Sequence, residues 1–226
     1  MQLHLVRHGQ ANARGSDYDQ LTEQGHLQAQ TLGKHLRQQG ITPRSFARGT
    51  LRRHEETLLG LLQGMGLNPV ECEIRVLPGL DEIDPNTWKT LAMKMAEEDR
   101  SVARLLEEMR SAEGQGRRRR LAAITGRVLQ AWINDGSPDF AEFRERILET
   151  LVDLESSSET LAVSSGTPIA IAISACLGDR RPATIFHWLR HLGNTSYSLL
   201  EIKRGQLAPL LLNSQEHLRK DQRTLM

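Results

Sequence analysis

Two cysteines, Cys72 and Cys176, are all that the sequence contains. A pair at that spacing builds neither a disulfide framework nor a cysteine-rich zinc site, which points to a reducing compartment. An excess of one charge is also missing. The chain sets 29 Lys and Arg against 28 Asp and Glu, a net charge of +1, and that balance argues against a protein devoted as a whole to nucleic acid. No apolar run approaches the roughly 20 residues that span a bilayer. The opening MQLHLVRHG has no basic segment followed by a long apolar stretch, so no signal peptide is expected. These absences predict a cytoplasmic protein with neither membrane nor nucleic acid as partner. No Gly-x-x-x-x-Gly-Lys loop marks an NTPase. No Gly-x-Ser-x-Gly elbow makes Ser164 or Ser165 an acyl-transfer nucleophile.

What is present suits one α/β domain with an elaboration, or at most two small domains, since 226 residues with 38% hydrophobic content supply a sizeable core. Leu3, Leu5 and Val6 read as a short buried strand that delivers Arg7 and His8 to a sheet edge. Thr22 looks like the N-cap of a helix running to about Gln38, with Leu27, Thr31, Leu32 and Leu36 at helical spacing. Arg52 to Leu62 reads as a second helix with Leu58, Leu59 and Leu62 on its apolar side, and Ile74 to Leu77 as a strand. From about Thr87 to Glu155 the composition turns to long charged helices, with Ser137-Pro138 as an N-cap and first-turn pair. This predicts a helical excursion covering the sheet. The sheet resumes at Thr160 to Ser164, followed by an apolar helix, Ile169 to Leu177, and another from Pro182. Two strands, Tyr197 to Ile202 and Leu207 to Leu212, close the pattern around Lys203-Arg204-Gly205. Strands alternating with helices imply a mainly parallel sheet clad on both faces.

Ligands of such sheets gather where strands end and helices begin, and Arg7, His8 and Gly9 lie at such an end. Neutral imidazole is a competent nucleophile, a guanidinium can hold two phosphoryl oxygens, and a glycine lets the backbone approach an anion. Alone, the three residues read equally well as polar residues in a strand-end turn. Further motifs follow in order: Leu21-Thr22-Glu23-Gln24-Gly25 with Gln28-Ala29, Leu51-Arg52-Arg53-His54-Glu55-Glu56-Thr57, Leu80-Asp81-Glu82, Asn194-Thr195-Ser196, and Asn213 to Leu218. In this order they resemble the histidine phosphatase superfamily, which includes phosphoglycerate mutase-like proteins. The resemblance covers nearly the whole chain outside the helical excursion.

The resemblance implies a three-layer α/β/α sandwich, a single domain over 1–226 with a helical insertion at 87–158. It implies phosphomonoester hydrolysis without metal or other cofactor. His8 would take the phosphoryl group, Arg7 and Arg53 would bind its oxygens, and Glu82 would protonate the leaving oxygen and later activate water. Asp81 and Asp84 are rival acids. Two arginines would also keep His8 deprotonated.

One departure stands out. Where the family carries a second histidine, in a Val-Ser-His-Gly-like segment, this chain has Val163-Ser164-Ser165-Gly166, which reads as a divergent branch. Ser165 cannot carry charge, and losing one preorganised donor costs roughly 3 kcal/mol, about a hundredfold in rate. Amides of Ser165, Gly166 and Thr167 at a helix start are expected to compensate in part. The expected partner is a small phosphorylated substrate. A phosphate-ester-binding protein with little turnover and a regulatory or interaction role is the second reading, and phosphoglycerate mutase activity ranks lower because the loop Asp84-Pro85-Asn86-Thr87-Trp88 lacks the family's glycines.

Among the remaining candidates, Arg117 to Arg120 read as a solvated helix face. His187 and His191, one helical turn apart, lack further ligands for a metal. His54, adjacent to Arg53, is expected to point away from the pocket. The Asp17-Tyr18-Asp19 loop either orders the pocket rim or turns the chain into a helix, and Trp132, Phe140 and Phe143 read as packing residues of the excursion.

Overall fold

The predicted first strand is β1, Gln2–Arg7, and it forms the middle of a mixed sheet. In this structure, a computed structural model, residues 1–12, 19–134, 138–156, 159–179 and 181–225 are described, without the side chains of residues 114, 115, 117, 118, 122, 138 and 156. The other strands are β2 (Ser45–Arg48), β3 (Ile74–Val76), β4 (Thr160–Ser164), β5 (Tyr197–Lys203) and β6 (Gln206–Ser214), in the order β3-β2-β4-β1-β5-β6. The first four are mutually parallel, β5 runs antiparallel to β1 and β6 antiparallel to β5, giving the expected mainly parallel sheet of an α/β sandwich. Strand β2 has no counterpart in the sequence reading. Four residues ending in an arginine carry too short a pattern to register, and it is the pairing with β3 and β4 on both sides that makes them a strand.

Helices α1 (Glu23–Gln38) and α2 (Arg52–Met65) cover one face of the sheet. Their buried Leu32, Leu36, Leu58, Leu61 and Leu62 form one core with Val6, Phe46, Leu161, Val163 and Tyr197. Thr22 caps α1 as predicted, accepting from Gly25 N at 3.0 Å. The inward faces differ slightly from expectation: Leu27 and Leu59 are exposed. The reason is how closely the two helices cross. A Cβ on Gly33 would come 2.2 Å from Leu61 O, and one on Gly64 would come 2.2 Å from Gln30 O. This small-residue contact turns the glycine stripe inward and rotates both leucines to solvent.

Side chains alternate across a strand, so Leu3, Leu5 and Ala162, all buried, point to the opposite face. There α7 (Gly166–Cys176) packs against β1 and β6, with α8 (Pro182–His191) beside it. Helix α7 is buried from Gly166 to Ser174, as its uniformly apolar sequence predicts. The β5–β6 hairpin turns on Arg204 and Gly205, both with positive φ (53° and 72°), and Glu155 accepts from both of their amides.

The chain divides into two compact units, Met1–Glu82 with Arg144–Met226, and Ile83–Phe143. The second unit is helical: α3 (Pro85–Glu98), α4 (Arg100–Ser111), α5 (Gly114–Asn134) and the start of α6 (Pro138–Asp153). Its core joins Ala92, Ile124 and Val128 to Trp88, Leu105 and Met109. Trp132 packs edge-on against Phe140 at 5.1 Å and lies 5.2 Å from Phe143. Pro138 opens α6, while Ser137 lies outside the described residues. In the arginine run, Arg119 is exposed and Arg120 pairs with Glu108 at 3.0 Å; the side chains of Arg117 and Arg118 lie outside the described residues. Among the described residues no helix is long and apolar enough to cross a membrane.

Candidate active site

Three chain segments meet where β1 and β4 end. Arg7, His8, Arg53 and Ser165 are all buried there, at 3%, 7%, 7% and 0% exposure. His8 is held first by its backbone. Its N–H donates to Ser164 O at 2.9 Å, and its carbonyl accepts from Thr195 N at 3.3 Å and Asn194 Nδ2 at 3.2 Å. Thr195 adopts a positive φ of 52° to make this clasp, and His217 Nε2 bonds its hydroxyl at 3.0 Å. The imidazole is then oriented by Nδ1, 2.7 Å from Gly9 O. A carbonyl only accepts, so Nδ1 carries the proton, and in the neutral ring Nε2 is left with its lone pair. Burial above all, then the charges of Arg53 and Arg7, holds His8 well below the ordinary histidine value.

Gly9 has a different physical reason from the one its sequence position suggests. A Cβ there would lie 2.6 Å from Gly25 O of α1, so the glycine is needed for packing against that helix. Its amide donates to Thr57 Oγ1 at 3.0 Å, and the Thr57 hydroxyl donates to Arg53 O at 2.6 Å. The first bond ties the segment after His8 to α2, and the second, internal to α2, links Thr57 to the carbonyl of Arg53.

Arg7 Nη1 donates to Leu192 O at 2.5 Å. Gly166 sits beside the same guanidinium; a Cβ on it would lie 3.7 Å from Arg7 Nε. Arg53 Nη1 donates to Asp19 Oδ1 at 2.7 Å, and Asp19 Oδ2 accepts from Arg52 N at 2.7 Å. Of the Asp17-Tyr18-Asp19 loop, Asp19 thus reaches the pocket arginine, while Asp17 and Tyr18 lie outside the described residues. The Arg52 side chain is half exposed and pairs with Glu56.

The expectation for His54 fails. Its Nε2 lies 2.7 Å from Ser165 Oγ, and Arg53 Nη2 lies 3.4 Å from the same oxygen. Consecutive residues diverge by about 100° around a helix, yet in the first turn of α2 both side chains reach the same hydroxyl. The Nδ1 of His54 faces Asp81 Oδ1 at 3.6 Å, an ion-pair distance too long for a hydrogen bond. Its rings and those of His8 are 5.9 Å apart.

The three acid candidates part company. Asp81 accepts from Thr50 N at 2.7 Å and Thr50 Oγ1 at 2.6 Å. Burial opposes ionisation of Asp81, but the neighbouring His54 and Thr50 outweigh it and hold its carboxyl below the ordinary value. Glu82 accepts from Thr167 N at 3.1 Å, so that amide at the start of α7 is already occupied and does not serve as the open anion donor expected of it. Asp84 caps α3, accepting from Asn86 N and Thr87 N. The loop carrying Asp81 and Glu82 is anchored by Ser164 Oγ, which donates to Leu80 O at 2.6 Å. His187 and His191 stand apart in α8, where His191 Nδ1 donates to His187 O. Among the described residues no group of three or more His, Cys, Asp or Glu is placed to hold a metal ion.

Sequence reading missed Asp19 as a definite partner of Arg53, His54 as a partner of Ser165, and Thr50, Thr57 and Asn194 as the clasps. Only the tertiary crossing of the segments brings them together.

Residues 3–215 match the model of the histidine phosphatase superfamily (branch 1). No curated protein matches the chain. Among solved structures, it is similar to phosphoserine phosphatase from Entamoeba histolytica, with a TM-score of 0.63 and 20% identity over 96% of this chain and 99% of that one. It is also similar to Bacillus stearothermophilus YhfR, with a TM-score of 0.66 and 18% identity over 96% and 98%. The alpha-ribazole phosphatase from Shigella flexneri matches with a TM-score of 0.59 and 18% identity over 95% and 96%.

Proposed function

The chain belongs to the histidine phosphatase superfamily, and from that membership we propose that it hydrolyses small phosphomonoesters through a phosphohistidine on His8. One observation carries the reading. The imidazole of His8 donates from Nδ1 to Gly9 O and is held neutral beside two arginines, which leaves Nε2 as a nucleophile facing positive charge. A named phosphoserine phosphatase and an alpha-ribazole phosphatase share the fold, and they favour a small ester as substrate.

In the proposed reaction Nε2 attacks phosphorus as the ester P–O bond breaks. Arg7 and Arg53 neutralise the oxygens where charge builds up, with Ser165 and Gly166 lining the same pocket and Gly9 fixing the nucleophile from behind. Glu82, oriented by Thr167 N, gives its proton to the leaving oxygen. It then takes one from water as the water oxygen displaces the imidazole, releasing inorganic phosphate. Glu82 is preferred as the acid because Asp81 is engaged by Thr50 and faces His54, and Asp84 caps a helix. The catalytic set is thus His8, Arg7, Arg53 and Glu82 within one domain over 1–226, with 87–158 inserted in it.

A second reading, a phosphate-ester-binding protein with little turnover, is favoured by Ser165, which is neutral and already bonded to His54. A panel of phosphomonoesters, with and without EDTA, separates the two. Turnover unaffected by EDTA, an acid-labile phosphoryl-enzyme and its loss in His8→Ala are expected. Saturable binding without turnover supports the binder, and turnover that survives His8→Ala overturns the hydrolase mechanism.

A further inference from the structure

The hydroxyl of Ser165 has one proton and two neighbours that want to use its oxygen. His54 Nε2 stands 2.7 Å away and Arg53 Nη2 3.4 Å away. Both Ser165 and His54 are completely buried, and at 2.7 Å the two atoms bond directly. On the other side of the ring, Nδ1 faces the Asp81 carboxylate at 3.6 Å. That carboxylate is pinned by two bonds from Thr50. No side chain can enter between ring and carboxylate: a Cβ on Gly49 would lie 2.2 Å from Asp81 Oδ1 and 2.3 Å from His54 Nδ1. The groups facing His54 are therefore Arg53 from α2, His8 from the end of β1, Asp81 and Glu82 from the loop after β3, and Ser165 from the β4–α7 junction.

A carboxylate beside Nδ1 favours the tautomer with its proton there, which makes Nε2 an acceptor. Ser165 must then donate to His54, and it turns only lone pairs toward anything entering the pocket. An oxyanion meeting those lone pairs is repelled. A second proton on His54 reverses the bond. Nε2–H now donates to Ser165 Oγ, Arg53 donates to the same oxygen, and the hydroxyl proton is released to swing toward a phosphoryl oxygen. We propose that His54 sets the direction of the Ser165 hydroxyl, so that a phosphoryl dianion binds together with one proton taken up at His54. The inference rests on the reading of this pocket as a phosphoryl site. Burial first, with Arg53 adding to it against the pull of Asp81, keeps His54 below the ordinary histidine value. An incoming dianion supplies the charge that reverses this balance. His54 is thus a positioning residue, acting on the ligand through Ser165.

Sulfate is a suitable probe because it stays a dianion across the pH range of interest. Calorimetric titration of the full chain with sulfate between pH 5.5 and 8.5, in buffers of different ionisation enthalpy, reads affinity and proton uptake together. In the wild type, affinity should fall with rising pH, by up to about tenfold per unit for each proton coupled to binding. His54→Gln, whose amide donates to Ser165 at every pH, should lower that slope and the proton uptake by about one proton, whatever His8 contributes. Thermal melting verifies that this variant folds. A measurement on the wild type needs no variant at all: at pH 7, 15N shifts of the His54 ring should change from one neutral tautomer to the doubly protonated form on saturation with sulfate. If His54 stays neutral under saturating sulfate, or if His54→Gln keeps the wild-type slope and uptake, the proposal is overturned. Sulfate that does not bind, or that binds equally well to Arg53→Ala, overturns the phosphoryl-site reading and the inference together.

Discussion

Thr57→Val tests whether the site depends on the clasp between β1 and α2. The substitution keeps shape and replaces a hydroxyl by a methyl group at a fully buried position. It removes the acceptor of Gly9 N–H, bonded at 3.0 Å, and the donor to Arg53 O, bonded at 2.6 Å. The Arg53 carbonyl lies inside α2 and keeps its helical partner, so the larger cost is the orphaned amide, about 2 kcal/mol. For a chain of this size that corresponds to a fall in Tm of roughly 4–8 °C. The effect on turnover should be disproportionate. Gly9 O is also the acceptor that orients His8, and misplacing a reacting group by about 1 Å costs on the order of 100-fold. We therefore expect kcat to fall by on the order of 10- to 100-fold with a smaller change in KM, while Thr57→Ser, which keeps both bonds, stays near the wild type. Thermal melting and phosphomonoester kinetics on the three proteins are sufficient. A valine variant with unchanged Tm and kcat, or a serine variant as damaged as valine, refutes the reasoning.

The pH profile of kcat/KM follows from His8, which reacts unprotonated and has its titration pushed well below the usual 6.5; its acid limb should lie well below pH 6.5 and move up toward it in Arg53→Gln, and a wild-type limb at or above 6.5 contradicts this. Stability should be greatest above pH 6.5 and decline on acidification, because His4, His8 and His54 titrate low in the fold and His217 is pushed down to about 4, so below 6.5 the unfolded chain binds protons that the fold resists. Urea unfolding at pH 7.5 and 5.5 measures it, and equal or greater stability at 5.5 is the contrary result. Gly49→Ala places a methyl group between His54 and Asp81 and should lower both Tm and turnover, read by melting and kinetics. Gly126→Ala, inside α5 with nothing within 4 Å of the new Cβ, should instead stabilise by about 0.5–1 kcal/mol, visible as a raised Tm with turnover unchanged.

Much of the framework was legible because its signals are local. Thr22 announces α1 by its own hydrogen bond to Gly25, and the apolar run at 169–177 needs no partner to read as a buried helix. The pair Arg204-Gly205 marks a hairpin by backbone conformation alone. Arg7, His8 and Arg53 were legible as candidate site residues through ordered motifs, and the structure brings them to one strand end with Ser165. What could not be read depends on how segments cross. Leu59 looks apolar and inward until the Gly33–Leu61 and Gly64–Gln30 approaches set the rotation of α2. Strand β2 exists because β3 and β4 flank it.

His54 is the clearest instance. Helical geometry correctly says that residues 53 and 54 leave the axis in different directions, yet that argument treats the target as lying alongside the helix. Ser165 lies at the junction where β4 gives way to α7, and one arginine and one histidine from the first turn of α2 converge on its hydroxyl. The same convergence changes the meaning of the serine. Read alone, Ser165 is a neutral residue where the resemblance leads one to expect a charged one. Placed 2.7 Å from a buried imidazole that faces a carboxylate, it is hydrogen-bonded to a titratable group, so the serine at position 165 does not leave that side of the site without ionisable chemistry.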